Sequence, residues 1–135
     1  MLIGECINPE IMKVISLLGH GDRILIADGN YPLATKTGSA KKLWLGLRAG
    51  IPTVTEVLDV VLSLVNVEAA AVMQPGSGDE PEIFEEFRQM LSGVELEALE
   101  RYDFYDECTK PSLCLAISTG EKRTFSNILL TVGVA

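Results

Sequence analysis

The sequence holds a single histidine, His20, inside the segment Gly19-His20-Gly21-Asp22. Imidazole both takes and gives a proton near neutral pH, so this position is the natural seat for general acid/base chemistry. Eight residues on comes Asp28, which closes an apolar run and precedes Gly29-Asn30. A carboxylate placed there could orient an imidazole or bind a hydroxyl. Arg101, Glu121 and Asn127 are the remaining polar side chains of interest, from distant segments. Each has a structural reading as well: Asp28 as a turn cap, Arg101 as an ion-pair partner, Asn127 as a partner of backbone groups, Glu121 as a turn residue. No phosphate-loop, nucleophile-elbow, zinc-helix or dinucleotide-turn pattern occurs. Cys6, Cys108 and Cys114 form no C-x-x-C pair, which argues against a disulfide framework or a closed zinc site. What is left, without a metal or cofactor motif, is His20 with Asp28, open both to general acid/base work and to the commoner reading of a histidine after a helix as a capping or surface residue.

The elements that must position these groups are legible in part. Asn8 suits an N-cap and Pro9 a first helical position, Ile11, Val14, Ile15 and Leu18 form one apolar stripe, and Gly19 is placed to end the helix. His20 then falls on the loop leading into a buried strand, Arg23 to Ala27. Tyr31 to Pro52 has no clear period. Thr53-Val54-Thr55-Glu56 matches a capping box opening a helix with Val57, Leu58, Val61, Leu62 and Val65 inward. Val67 to Met73 reads as a strand, Asp79 to Leu91 as an amphipathic helix with its carboxylates on a solvated face, and Glu100 to Thr109 as a short helix. Strands follow at Leu113 to Ser118 and at Phe125 to Val132, the last with Asn127 near its start. This alternation predicts an α/β fold: a single three-layer domain over residues 1–135, with a mixed central sheet and helices on both faces. Sites in such sheets gather where strands end.

Bulk properties narrow the function classes. Nineteen acidic against eleven basic residues give a net charge of −8, which opposes nucleic-acid binding. The start of the chain lacks the features of a signal peptide, and no apolar stretch approaches a membrane span, so a cytoplasmic protein without a membrane partner is expected. A mean hydropathy of +0.27 in so small a chain is consistent with burying further surface in a homo-oligomer.

Two separated blocks carry a resemblance. Asn8-Pro9-Glu10 through Leu18-Gly19-His20-Gly21-Asp22, then Ile24 to Pro32, resemble the N-terminal part of the sugar-mutarotase family that contains D-ribose pyranase and L-fucose mutarotase. Arg101 to Glu107, Ile117 to Glu121 and Asn127 to Leu130 resemble its C-terminal part in the same order. The resemblance implies interconversion of monosaccharide anomers, with His20 as the catalytic residue and Asp28, Arg101, Phe125, Ser126 and Asn127 against the sugar. Tyr31 or Tyr105 could offer an aromatic surface to the ring. Arg101 matches the basic position of the fucose branch, where the ribose branch typically has histidine, so L-fucose-like sugars are expected. Phe125 stands where the family has tyrosine, and Asn30 where the fucose branch often has histidine. Family members form high-order rings, often decamers, with sites where subunits meet. A ribose-type pyranase and a non-catalytic monosaccharide-binding module are the alternatives.

Overall fold

Asn8 starts the first element by accepting the Ile11 amide at 3.0 Å, and Pro9 follows where a missing N–H costs nothing. A computed structural model describes residues 1–135. Its helices are α1 (Pro9–Ile15), α2 (Val54–Leu62), α3 (Glu82–Met90) and α4 (Arg101–Cys108). Its strands are β1 (Arg23–Ala27), β2 (Lys41–Trp44), β3 (Val67–Met73), β4 (Leu96–Leu99), β5 (Leu113–Ser118) and β6 (Ile128–Val132). No helix is long and apolar enough to cross a membrane.

The six strands form one sheet in the order β2-β5-β1-β6-β3-β4. Strand β6 runs antiparallel to β1 and β3, and every other pairing is parallel. The carboxyl ends of β1 to β5 therefore share one edge with the amino end of β6. The opposite edge collects the starts of β1 and β3 and the end of β6.

Alternation along β1 divides the core. Ile24 and Ile26 face a cluster built with Ile11 and Ile15 of α1, Leu58 of α2 and Phe87 of α3. Leu25 and Ala27 face the other way, onto Phe104 and Cys108 of α4 and onto Tyr31 and Leu33 from the loop after β1. All four β1 side chains are fully buried, and a large aliphatic in that position contributes about 1.5–3 kcal/mol. Helices thus cover both faces of a mixed sheet, as the pattern predicts, three on one side and α4 with a loop on the other.

Two expectations need correction, and two strands lie outside the expected set. Helix α1 stops at Ile15, where the Ser16 amide closes the last turn, so Gly19 is not its terminator. Gly21 instead takes the left-handed conformation, at φ 91°, as the chain turns into β1. The last strand begins at Ile128 and not at Phe125, because Phe125 at φ 57° interrupts the extended run. Strands β2 and β4 carry no readable signal, being four-residue edge strands with half-exposed side chains.

Helix α2 opens as expected. Thr53 Oγ1 accepts the Glu56 amide at 3.2 Å and Glu56 Oε1 accepts the Thr53 amide at 3.1 Å. Thr53→Ala removes the Oγ1 acceptor of the Glu56 amide, while the backbone amide at position 53 stays available to Glu56; the loss is expected to lower the unfolding free energy by about 0.5–2 kcal/mol. Urea unfolding of the two proteins measures this. A midpoint unchanged within error would show that the box does not stabilise the fold.

Candidate active site

At the carboxyl edge, the end of β1 and the approach to β6 are tied by Asp28. Its Oδ1 accepts the amides of Asn30 and Tyr31, at 2.9 and 3.0 Å, which closes the turn after the strand. Its Oδ2 accepts the Ser126 amide at 3.1 Å. Asn127 answers from the other side, its Oδ1 accepting the Asp28 amide at 2.8 Å. Burial pushes the Asp28 carboxyl above its ordinary range, while the three backbone amides pull the other way. A carboxylate offers about four acceptor positions, so roughly one, on Oδ2, stays open to a ligand hydroxyl. Asn127 likewise commits its oxygen and keeps its NH2 to donate. The turn-cap and ligand readings of Asp28 are therefore compatible.

These groups line a cleft of about 130 Å3, with Arg101, Tyr31, Tyr105 and Phe125 among its walls. Arg101 opens α4 directly after β4, and its guanidinium carbon lies 5.8 Å from the centre of the Phe125 ring. No carboxylate pairs with it. Phe125 is the chain's only non-glycine residue with positive φ, a backbone state that persists only where surroundings impose it. Tyr31 is buried, donates its hydroxyl to the Lys36 carbonyl at 2.9 Å and packs edge-on against Tyr105 at 5.5 Å. It is held as a wall. Ser126 is fully buried and does not line the cleft; its backbone amide, through Asp28, is its connection to the site.

Behind this wall stands a support that sequence reasoning undervalues. Glu121 is buried at 4% exposure and receives the Arg123 amide and guanidinium, at 3.1–3.2 Å, together with the Val54 amide that opens α2, at 3.4 Å. Burial alone would raise its carboxyl, and the Arg123 contacts hold it below the usual value. Arg123 also reaches Glu86 on α3 at 2.6 Å. The loop carrying Phe125 and Asn127 is thus braced against two helices. Gly120 lets this loop pass close to its neighbour, for a Cβ there would lie 2.4 Å from the Arg48 carbonyl oxygen. Glu121 reads as a turn residue from its position; Arg123 has no signal in the sequence.

His20 is not in this cleft. It sits before β1 at the opposite edge, beside a groove of about 770 Å3 between the ends of α1, α2 and β6. β1 alone separates the two ends by about 17 Å, five residues at 3.3–3.4 Å each. Its Nε2 contacts Glu68 at the start of β3. The structure thus brings Asp28, Arg101, Phe125 and Asn127 together and leaves His20 apart within one chain. No cluster of three or more His, Cys, Asp or Glu side chains forms that could hold a metal ion.

Comparison with known proteins places this geometry. The model of the RbsD / FucU transport protein family matches residues 1–135. A D-ribose pyranase of Bacillus cytotoxicus is 31% identical over 128 residues, covering 95% of this chain and 94% of the relative. One from Photorhabdus laumondii is 33% identical over 139 residues, covering 97% and 96%. Bacillus subtilis RbsD, solved with D-ribose, superposes with a TM-score of 0.87 at 25% identity over 100% of this chain and 99% of its own. A fucose mutarotase of Streptococcus pneumoniae, solved with L-fucose, gives 0.80 at 31% identity over 96% and 94%. With a family model spanning its whole length and relatives above 30% identity at nearly full coverage, this chain belongs to the RbsD / FucU family of sugar pyranases and mutarotases.

Proposed function

We propose that this protein interconverts the anomers of a monosaccharide, L-fucose-like by preference, in a site shared by two copies of the chain. The observation that carries the proposal is the separation of His20 from the cleft: a site using both needs the cleft of one copy and the histidine of another. Exposed Trp44, Leu47, Ile51 and Leu64 supply apolar surface for such assembly, and the decameric ring expected from resemblance is one arrangement that would bring the edges together. A cytoplasmic place of action accords with the same resemblance.

The chemistry requires little apparatus. The anomeric hydroxyl loses its proton, the ring oxygen gains one, and the C1–O bond of the ring opens to a carbonyl. After the carbonyl turns its other face, both transfers reverse. In this reading His20 moves the proton, the open position on Asp28 and the NH2 of Asn127 hold sugar hydroxyls, and Arg101 donates to the ring through its guanidinium fork. Arg101 is the residue that favours a fucose-like sugar. The curated relatives' common name, D-ribose pyranase, and the TM-score of 0.87 with the D-ribose complex favour D-ribose as the second reading.

Saturation-transfer NMR on L-fucose and D-ribose tests the activity directly. The protein should accelerate anomer exchange, and His20→Ala should lower the rate by roughly 10²–10⁴-fold. Sugar binding without acceleration of any monosaccharide would sink the enzyme reading and leave a binding module. Co-expressing His20→Ala with Arg101→Ala tests the shared site: each variant alone should be inactive, and mixed assemblies should regain exchange. No recovery in assemblies shown to be mixed would overturn the two-copy arrangement. Asp28→Asn turns an amide NH2 or loses an acceptor against one of three backbone donors, so it should cost about 1–3 kcal/mol of stability as well as activity. Chemical unfolding reads the first and NMR the second; a variant as stable as the parent would show the clamp to be dispensable. Phe125→Tyr restores the phenol at that position and should raise exchange by about 2- to 10-fold, the worth of one hydrogen bond of 0.5–1.5 kcal/mol. An unchanged or lower rate would show that the site works without it.

A further inference from the structure

The His20 ring is paired with a carboxylate from a distant strand. Its Nε2 lies 2.9 and 3.0 Å from the two carboxylate oxygens of Glu68, 48 residues later in the chain. Both side chains are about half exposed, 57% and 46%, so the pair contributes little to stability. Three backbone features nevertheless prepare it. The ladder between β3 and β6 slips between Val67 and Ala69, leaving Glu68 as the extra residue of a bulge, and such bulges re-aim a side chain. The slip puts Val67 on the core face with Ala70 and Val72, where strict alternation would have put Glu68. Gly133, across the ladder, leaves room for the acid, since a Cβ there would come 3.2 Å from the Glu68 Cβ. On the other side, the Gly21 amide is tied to the Val132 carbonyl at 2.9 Å and the Gly19 amide to Asp22 Oδ2 at 2.8 Å, so the backbone flanking His20 is held in place.

We infer that Glu68 is the positioning residue of His20. It accepts the Nε2–H, fixes the neutral ring in that tautomer, and leaves Nδ1 as the nitrogen that takes and returns the sugar's proton. The hydrogen bond at one ring nitrogen decides which nitrogen is basic. Without it the ring divides between two tautomers and two orientations, and only one of those presents a lone pair to the substrate. This rests on the reading of His20 as the proton carrier. Glu68 itself touches no sugar and acts through the imidazole.

The single histidine makes the test direct, because the imidazole 15N resonances need no assignment among several rings. Wild type, Glu68→Ala and Glu68→Gln are compared by these resonances with the ring neutral, and by kcat and KM for anomer exchange. The wild-type ring should be predominantly Nε2–H. Glu68→Ala should mix the tautomers and lower kcat roughly 10- to 100-fold with KM little changed, the pattern of a group that orients a base. Glu68→Gln retains an acceptor oxygen and should recover most of the rate. A wild-type ring in the Nδ1–H tautomer, or Glu68→Ala with the parent's kcat, overturns the inference while leaving the proposed activity standing. Failure of the wild type to accelerate any sugar removes the activity, and the role of Glu68 with it.

Discussion

The exchange of hydrogen bonds between Asp28 and the pair Ser126 and Asn127 is the constraint on which the carboxyl edge depends. Strands β1 and β6 are antiparallel neighbours at the centre of the sheet, and their ladder runs out at Ile26 and Ile128. Beyond it the two backbones would carry unpaired groups in a buried setting, which is costly. Asp28 and Asn127 replace the ladder with side chains: one supplies oxygens to three amides, the other an oxygen to one. An apolar residue at either position would leave those donors unsatisfied. The same substitution of side chain for ladder leaves an acceptor position on Asp28 and two donor hydrogens on Asn127 near the open cleft. Satisfying the backbone and creating a polar site are one structural act.

A second constraint is directional. Because β6 alone runs against the other strands, one edge receives five strand ends and their loops, and the other receives strand starts. Loops after strands are where this architecture builds ligand sites, and the cleft obeys that rule. His20 does not, since it precedes β1. An arrangement that uses both cannot close within one copy, and apolar side chains such as Trp44 at 61% exposure lie on the outside of the chain, available for a neighbour. In the proposed two-copy site, assembly and catalysis would be linked by strand direction and not by a flexible segment.

How far the sequence reveals this depends on whether a feature is local. The strands Arg23–Ala27, Val67–Met73 and Leu113–Ser118 are readable to the residue because each is a mostly apolar run of strand length bounded by turns. The caps Asn8 and Thr53 are readable because each acts within three residues. Edge strands β2 and β4 are not, since half-exposed four-residue segments have no period to detect. Of the residues expected against the sugar, Asp28, Arg101, Phe125 and Asn127 do line one cleft, while Ser126 turns inward. Grouping these four came from family resemblance more than from their types, because a carboxylate and an amide 99 positions apart announce no contact. Arg123 and the buried role of Glu121 were illegible for the same reason. Glu68 did leave a trace: it is the one charged residue in the apolar run Val67 to Met73.

That trace has a general physical meaning. A residue that contradicts its local pattern must either be tolerated at a cost or be accommodated by a deviation in the backbone. Here both deviations fall beside the proposed machinery. The bulge at Glu68 turns an acid away from the core and toward His20, and the positive φ at Phe125 turns the chain so that the Ser126 amide and the Asn127 side chain both meet Asp28. Neither could be replaced by regular strand without moving a polar group of the candidate site. The fold tolerates such local departures, together with a further slip of the β1·β5 ladder between Arg23 and Ile24, because a few irregular residues are small against a core of buried Ile, Leu, Val and Phe.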